Sequence, residues 1–290
     1  MNGFLCVDKP VGPSSFSVVR AVRRSLNISK AGHAGTLDPM ASGLLVVALG
    51  KCTRLLEYLP LEPKVYEFSV VFGKGTDTFD AEGNVVAESG VIPSESQLID
   101  ALKGFTGEIE QTPPRYSAIK IGGTPAYRLV RRGVDVAMKP RAVTIYAVDL
   151  CGYDKGEKRA DFSVSCSAGT YVRSLAVDIT KAADAGAEGF VSRLRRTRTG
   201  RFDLSMAVNF QFLPDAINYI IDSKDAFNPT QMVVIDDRLK AEVSSGRVVA
   251  ADGWEPGGAG ALIAFDGAGA LSAVLKRVEG NRYHPVKVFN

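Results

Sequence analysis

Residues 32–43 read GHAGTLDPMASG and lead directly into the apolar run LLVVAL at residues 44–49. An uninterrupted apolar run next to a glycine predicts a buried strand. The segment before it carries His33, one of two histidines in the chain, and Asp38, which precedes a proline. Its three glycines permit tight turns. We therefore expect an ionisable pair on a loop anchored in the core, which is typical of functional loops. A solvated turn without function is the alternative.

Composition restricts the class of protein. The chain has 290 residues, of which 46% are hydrophobic and 23% charged, as in ordinary globular proteins. No apolar stretch reaches the ~20 residues of a membrane span, and the start MNGFLCVDKP lacks the features of a signal peptide. The four cysteines form no CxxC pair, so neither a zinc site nor a disulfide framework is expected. These observations predict a cytoplasmic protein with reduced thiols and no membrane contact.

Periodicity predicts both helices and strands before residue 190. Residues 64–72 alternate between apolar and polar side chains, which indicates a half-buried strand. Residues 143–150 and 160–166 are expected to pair as strands, and GTYVRSL at residues 169–175 to begin a helix that ends near residue 185. Residues 15–26 predict an amphipathic helix whose arginines form a basic face. That face could contact RNA or simply be solvated.

Basic residues concentrate in SRLRRTRTGRF at residues 192–202, which holds five arginines and no acid. A solvated edge strand is one interpretation. A surface for a polyanion is the one we favour, because arginine binds phosphate through a planar fork. The net charge of the chain is only +3. Residues 231–290 contain seven basic and seven acidic side chains, so the positive excess lies upstream of them.

A boundary is predicted at Asn228-Pro229. Beyond it, short apolar runs of β type at residues 231–235, 261–265, 271–277 and 286–289 alternate with glycines. We therefore predict two domains, residues 1–230 and a small β-rich domain at residues 231–290.

Familiar enzyme motifs are absent. Gly50-Lys51 lacks the upstream glycine spacing of a P-loop, and no GxGxxG or GxSxG is present. The order of residues does not exclude a serine–histidine–aspartate triad. The two histidines are far apart in the sequence, which does not favour a histidine-based metal site. What remains is carboxylate chemistry, and isomerase or lyase reactions are its natural class when no metal or cofactor motif accompanies it.

The combination of motifs resembles one family. GHAGTLDPMASG, Lys9-Pro10, Val65-Tyr66 and GTYVRSL, in this order and separation, are similar to the TruB-type tRNA pseudouridine synthases. The resemblance implies an α+β catalytic domain with a long mixed, mostly antiparallel sheet and a cleft across its middle. It also implies that the β-rich tail is a PUA-like RNA-binding domain.

Residue roles follow from the resemblance. It implies that Asp38 is the catalytic aspartate, with Arg173 as its partner. The implied substrate-binding residues are His33, Tyr66, Tyr171, Arg173 and Leu194. Arg193, Arg195, Arg196 and Arg198 are expected to contact the RNA backbone. Lys9 and Pro10 are expected to support the aspartate loop.

The implied reaction is conversion of a uridine in the TΨC loop of tRNA, position 55, to pseudouridine. The base would be flipped out of its stack. The reaction would need neither cofactor nor metal, because no atoms are added to the uridine or removed from it overall. The expected partner is the TΨC stem-loop of tRNA, bound by a monomer. An RNA-binding protein or tRNA-folding chaperone without essential catalysis is the alternative. A metal-dependent nuclease is disfavoured because no carboxylate–histidine cluster is evident.

Overall fold

The computed structural model describes residues 1–256 and 260–289. The strands of the first half are β1 Gly3–Lys9, β2 Ala31–Ala34, β3 Ala41–Leu49, β4 Lys64–Phe72, β5 Lys74–Thr76, β6 Val85–Glu88, β7 Gly107–Gln111, β8 Lys120–Ile121 and β9 Thr124–Pro125. Those that follow are β10 Arg141–Asp154, β11 Arg159–Cys166, β12 Gly189–Thr199, β13 Phe202–Asp203 and β14 Ala207–Asn209. The last are β15 Met232–Ile235, β16 Val249–Ala250, β17 Ala261–Asp266, β18 Leu271–Glu279 and β19 Arg282–Val288.

Ten strands form one long mixed sheet. Its order is β14-β1-β3-β12-β4-β11-β10-β7, with β2 paired to β3 and β13 to β12. Two of these pairings are parallel, β1 with β14 and β3 with β12, and the others are antiparallel. The predicted long, mostly antiparallel sheet is therefore confirmed.

The middle of the sheet is buried on both faces. Along β3, Leu45 and Val47 pack into one apolar cluster, whereas Leu44 and Val46 pack into another on the opposite face. A strand covered on both sides has no need for polar residues at alternate positions, which is why residues 44–49 form an uninterrupted apolar run. On the first face, the rings of Phe68 and Phe162 stack with their centroids 5.1 Å apart.

The helices are α1 Ser15–Ser25, α2 Glu95–Leu102, α3 Ala126–Val130, α4 Val172–Ala183 and α5 Asp237–Ser244. Ser14 caps α1 by accepting a hydrogen bond from the Ser17 amide. Ser94 and Gln97, whose spacing in the sequence is that of a capping box, form one at the start of α2. The chain forms 3₁₀ helices over Gly50–Tyr58 and Phe210–Tyr219. Within the described ranges, no helix is both long and apolar enough to cross a bilayer.

A separate C-terminal sheet, of PUA-like character, has the order β15-β17-β18-β19-β16. Its own core contains Ile235, Leu262 and Tyr283. Ile263 and Phe265 of β17 face the other way and join the apolar cluster beneath the large sheet. The sequence did not indicate α5, which Asp236 begins by accepting a hydrogen bond from the Leu239 amide. The boundary at residue 231 stays a prediction.

The structure excludes the alternative interpretation of residues 192–202 as a solvated edge strand, because β12 lies between β3 and β4 in the middle of the large sheet. The arginines of β12 suggested an exposed strand. An arginine side chain can nevertheless be buried when its guanidinium has carbonyl or carboxylate partners.

Candidate active site

A cleft of about 270 Å³ opens where the 35–38 loop meets β4, β12 and the start of α4. Its walls are Gly35, Thr36, Leu37, Asp38, Lys64, Tyr66, Ala118, Arg141, Gly169, Thr170, Tyr171, Val172, Arg173 and Leu194. A more open hollow of about 650 Å³ lies around Phe72 and Gly73, and none of the predicted site residues lines it.

The loop that carries Asp38 is fixed by buried polar groups. Lys9 is fully buried, and its ammonium donates to the carbonyls of Pro10 and Pro13, both at 2.9 Å, and of Pro39 at 3.3 Å. Ser15 Oγ donates to the Leu37 carbonyl and accepts from the Leu37 amide. The residues on both sides of Asp38 are therefore held by side chains from β1 and α1.

Glycine at position 43 is required by the backbone. Its φ is +100°, and a Cβ there would lie 2.2 Å from the Arg196 carbonyl oxygen on β12. No side chain fits that space, so Gly43 is what allows the parallel pair β3–β12 to form beside the aspartate loop.

Arg173 is the centre of the site. It lies at the start of α4, with 4% of its side chain exposed. Nη2 lies 2.8 Å from Asp38 Oδ2 and donates to the Tyr116 carbonyl, and Nη1 donates to the Thr78 carbonyl. Asp38 itself is 36% exposed and faces the cleft. A guanidinium with this many acceptors has a single orientation, so it fixes the carboxylate of Asp38 in one place.

Asp80 is a site residue that the sequence did not reveal. Its Oδ2 lies 3.1 Å from Arg173 Nη1, and its side chain is 5% exposed. Its Oδ1 accepts from the Thr78 hydroxyl at 2.6 Å and the Glu82 amide at 3.0 Å. Arg173 therefore bridges two carboxylates, one buried and one open to the cleft. Asp80 belongs to the polar connection at residues 73–83, which had been assigned no function.

Tyr66 and Leu194 form an apolar wall of the cleft. Both are nearly buried, and they lie on neighbouring strands, where β4 runs beside β12. Burial raises the pKa of the Tyr66 phenol, and the nearby charge of Arg196 opposes that rise. The phenol is therefore protonated at neutral pH.

Tyr171 faces the same cleft from the other side. Gln111, which is fully buried, accepts from the Tyr171 amide at 2.7 Å and donates to its carbonyl at 3.1 Å. The guanidinium of Arg141 lies 4.9 Å from the Tyr171 ring centroid and donates to the Gly169 carbonyl. Gln111 and Arg141 were not predicted as site residues; both hold the GTYVRSL segment in place.

His33 is not among the residues that line the cleft. It lies half-buried on β2 opposite Val47, and its Nδ1 is buried without a hydrogen-bond partner. Burial, and then the charge of Arg196, lower the pKa of His33, so it is neutral at neutral pH. Pro10 is exposed at the protein surface.

The arginines of β12 differ in their surroundings. Arg196 is fully buried and donates to the carbonyls of Leu44 and Gly35. Its guanidinium is therefore not exposed to solvent, which disfavours the predicted contact with the RNA backbone. Arg195 forms a two-point ion pair with Asp8 at 2.8 and 3.1 Å. Arg193 and Arg198 are exposed and stay candidates for phosphate contact.

Metal ligands are not clustered in this site. Across residues 1–256 and 260–289, no group of three or more His, Cys, Asp or Glu side chains is arranged to hold a metal ion. The four cysteines are free, and only Cys151 is exposed.

Known proteins resemble the chain in sequence and in fold. A model of the TruB family pseudouridylate synthase, N-terminal domain, matches residues 23–172. tRNA pseudouridine synthase B of Syntrophotalea carbinolica is 46% identical over 213 residues, which cover 73% of this chain and 68% of that protein. tRNA pseudouridine synthase B of Ehrlichia chaffeensis is 33% identical, and the alignment covers both chains completely. A chain of the Cbf5-Nop10-Gar1 complex superimposes with a TM-score of 0.69 at 28% identity, covering 99% of this chain and 84% of that one.

The long mixed sheet, the cleft with Asp38 and Arg173, and these similarities define a pseudouridine synthase, an enzyme of the isomerase class. The family model covers more than half of the chain, and the relatives match well beyond that stretch. The chain belongs to the TruB family.

Proposed function

We propose that the protein converts the uridine at position 55, in the TΨC loop of tRNA, to pseudouridine. The observation that carries the proposal is the carboxylate of Asp38, fixed by Arg173 at 2.8 Å and open to a cleft walled by Tyr66. Relatives at 33–46% identity are named tRNA pseudouridine synthase B, which supports tRNA as the substrate.

The size of the cleft requires base flipping. A cavity of about 270 Å³ is too small for stacked or paired bases, so the target nucleotide must leave its stack at a cost of a few kcal/mol. Stacking on an aromatic ring recovers ~1–3 kcal/mol. Tyr66, whose ring forms the cleft wall, is the stacking partner, and Leu194 and Tyr171 close the other sides of the base pocket.

The reaction breaks the N1–C1′ bond and forms the C5–C1′ bond. The proton on C5 is lost and N1 gains one, so the product is an isomer of uridine. Asp38 is the catalytic group, since its carboxylate is the only acidic side chain that lines the described cleft. Arg173 orients this carboxylate, and Asp80 in turn orients Arg173.

A set of cations outside the cleft is available to contact the RNA backbone. Arg193 and Arg198 on β12 and the arginines on the exposed face of α1 offer cations to phosphates. Such contacts set the register of the RNA without reading its sequence. The PUA-like domain extends this surface towards the acceptor stem of the tRNA.

The test is to map pseudouridine in an unmodified tRNA transcript after incubation with the enzyme. We expect one pseudouridine, at position 55, and none when that uridine is replaced by cytidine. Modification at another uridine, with position 55 unchanged, would contradict the proposed specificity. A transcript that is bound but nowhere modified would favour the chaperone alternative.

A further inference from the structure

Lys64 is a cation of the cleft without a partner. Its half-buried side chain lines the cavity at the first position of β4. In the part of the chain that the structure describes, its ammonium makes neither a hydrogen bond nor an ion pair. The other two cations of the cleft wall are engaged, Arg173 by two carboxylates and Arg141 by the Gly169 carbonyl.

The acid closest in sequence to Lys64 is already occupied. Glu62 accepts from the Ala168 amide at 2.8 Å and from the Tyr146 hydroxyl at 3.2 Å. Burial, and then the charge of Arg196, lower the pKa of Lys64. The charge of Glu62 opposes this shift without cancelling it, so on balance the surroundings disfavour the charge of Lys64, and an anion that pairs with its ammonium would offset that cost.

Two cations converge beside the aspartate loop. From the point where a Cβ of Gly35 would lie, Lys64 Nζ is 3.2 Å away and the unpaired Nη1 of Arg196 is 3.5 Å away. The φ of Gly35 is +82°, and the missing side chain leaves this corner of the cleft open. Arg196 is buried behind it and adds a positive field without touching solvent.

The spacing to Tyr66 suits a nucleotide. Lys64 and Tyr66 are two residues apart on β4 and line the same cleft, so their Cα atoms lie about 7 Å apart. The phosphates of a nucleotide lie outside the plane of its base, so a base stacked on Tyr66 can bring an adjacent phosphate to Lys64 on the same cleft wall.

We propose that Lys64 binds a backbone phosphate next to the flipped uridine, so that the corner beside Gly35 is a phosphate subsite of the cleft. This inference rests on the proposed function. The phosphate replaces the partner that Lys64 lacks in the free enzyme, and its binding holds the flipped nucleotide over Asp38.

The experiment is a cycle that combines a variant with a modified substrate. A TΨC stem-loop is made with a neutral methylphosphonate at one position, either directly 5′ or directly 3′ of the target uridine. The rate constant kcat/KM is measured for the wild type and for Lys64→Met, which keeps the apolar stem. Lys64→Gln is the second variant. Lys103→Gln, at an exposed lysine directly after the last residue of α2, is the matched control.

Removing the charge of Lys64 and removing the charge of the phosphate should have the same effect. We expect Lys64→Met, and one of the two methylphosphonates with the wild type, each to lower kcat/KM by about 10-fold to 100-fold. Together they should cost little more than either alone. Lys103→Gln should respond to the methylphosphonate as the wild type does. Because burial penalises the Lys64 charge, the Tm of Lys64→Met should equal or exceed that of the wild type.

Three results would overturn the subsite. Losses that multiply would mean that Lys64 and the phosphate act separately. A wild type indifferent to both methylphosphonates would mean that no adjacent phosphate is bound. A fall in Tm for both Lys64→Met and Lys64→Gln, with activity lost only in proportion to unfolding, would make the lysine structural. In each case an active wild type leaves the proposed function intact, whereas a wild type that forms no pseudouridine overturns both.

Discussion

Replacement of Asp80 by asparagine tests whether the buried carboxylate matters for catalysis. The variant keeps the size of the side chain, and its amide oxygen can still accept from the Thr78 hydroxyl and the Glu82 amide. It removes the negative charge 3.1 Å from Arg173 Nη1. The change therefore removes both the charge and the acceptor on one side of the Asp38–Arg173–Asp80 chain, because the amide Nδ2 of asparagine is a donor and faces the donor Nη1 of Arg173.

The size of the effect follows from burial. Breaking a buried ion pair costs about 3–5 kcal/mol when the remaining charge has no other partner. Arg173 keeps Asp38 and the carbonyls of Thr78 and Tyr116, so we expect about half of that cost. A loss of about 1.5–2.5 kcal/mol from the transition state lowers the single-turnover rate constant by about 10-fold to 70-fold.

The assay is single-turnover release of tritium from C5 of uridine in tRNA, together with the Kd for tRNA. We expect the rate constant to fall while the Kd is unchanged, because Asp80 is buried and does not reach the RNA. Asp77→Asn is the matched control, since Asp77 lies in the same segment and bonds Asn84 rather than Arg173. A folded Asp80→Asn enzyme with the wild-type rate would refute the argument.

Two further predictions concern the lysine that holds the aspartate loop and the arginines proposed to contact RNA. Lys9→Met removes a donor from three carbonyls, although that of Pro39 keeps the Gly12 amide. It should lower the free energy of unfolding by about 2–4 kcal/mol at pH 7. Burial lowers the pKa of Lys9 from 10.5 to about 8, so between pH 8 and 10.5 the unfolded chain binds more protons at this residue, and its contribution to stability rises with pH. In urea titrations, the difference in free energy of unfolding between wild type and variant should increase from about pH 8 to pH 10.5. A difference that decreases over this range would contradict the lowered pKa of Lys9. For RNA contact, replacing Arg193 and Arg198 together by glutamine should reduce the slope of log K against log salt by about 2, whereas Lys103→Gln should not change it. An unchanged slope in the double variant would identify those two arginines as merely solvated.

Local signals in the sequence predicted local structure well. Alternation predicted β4 at Lys64–Phe72, and the serine–glutamine spacing predicted the cap of α2. The pairing of β10 with β11 followed from two apolar runs around a polar turn. In each case the signal lies within the segment itself, so no knowledge of the remaining fold was needed.

Tertiary contacts account for what the sequence could not give. From the sequence alone, Arg196 is expected to lie at the surface. Its burial becomes possible because its guanidinium donates to the carbonyls of Leu44 and Gly35, which belong to a distant part of the chain. Asp80 lies in a polar, glycine-rich connection, and nothing in that segment indicates that it meets Arg173. The family resemblance supplied Asp38 and Arg173 as a pair; the carboxylate on the opposite side of Arg173 became visible only in three dimensions.

The central claim is that the carboxylate of Asp38 performs the isomerisation. Its most direct test is single-turnover release of tritium from C5-labelled, unmodified tRNA by the wild type and by Asp38→Asn, with EDTA present and the Kd for tRNA measured in parallel. We predict release by the wild type and less than a few per cent of its rate with Asp38→Asn, at equal affinity. Release by Asp38→Asn at a rate near that of the wild type would contradict the account, and tight binding without release by either protein would favour the chaperone alternative.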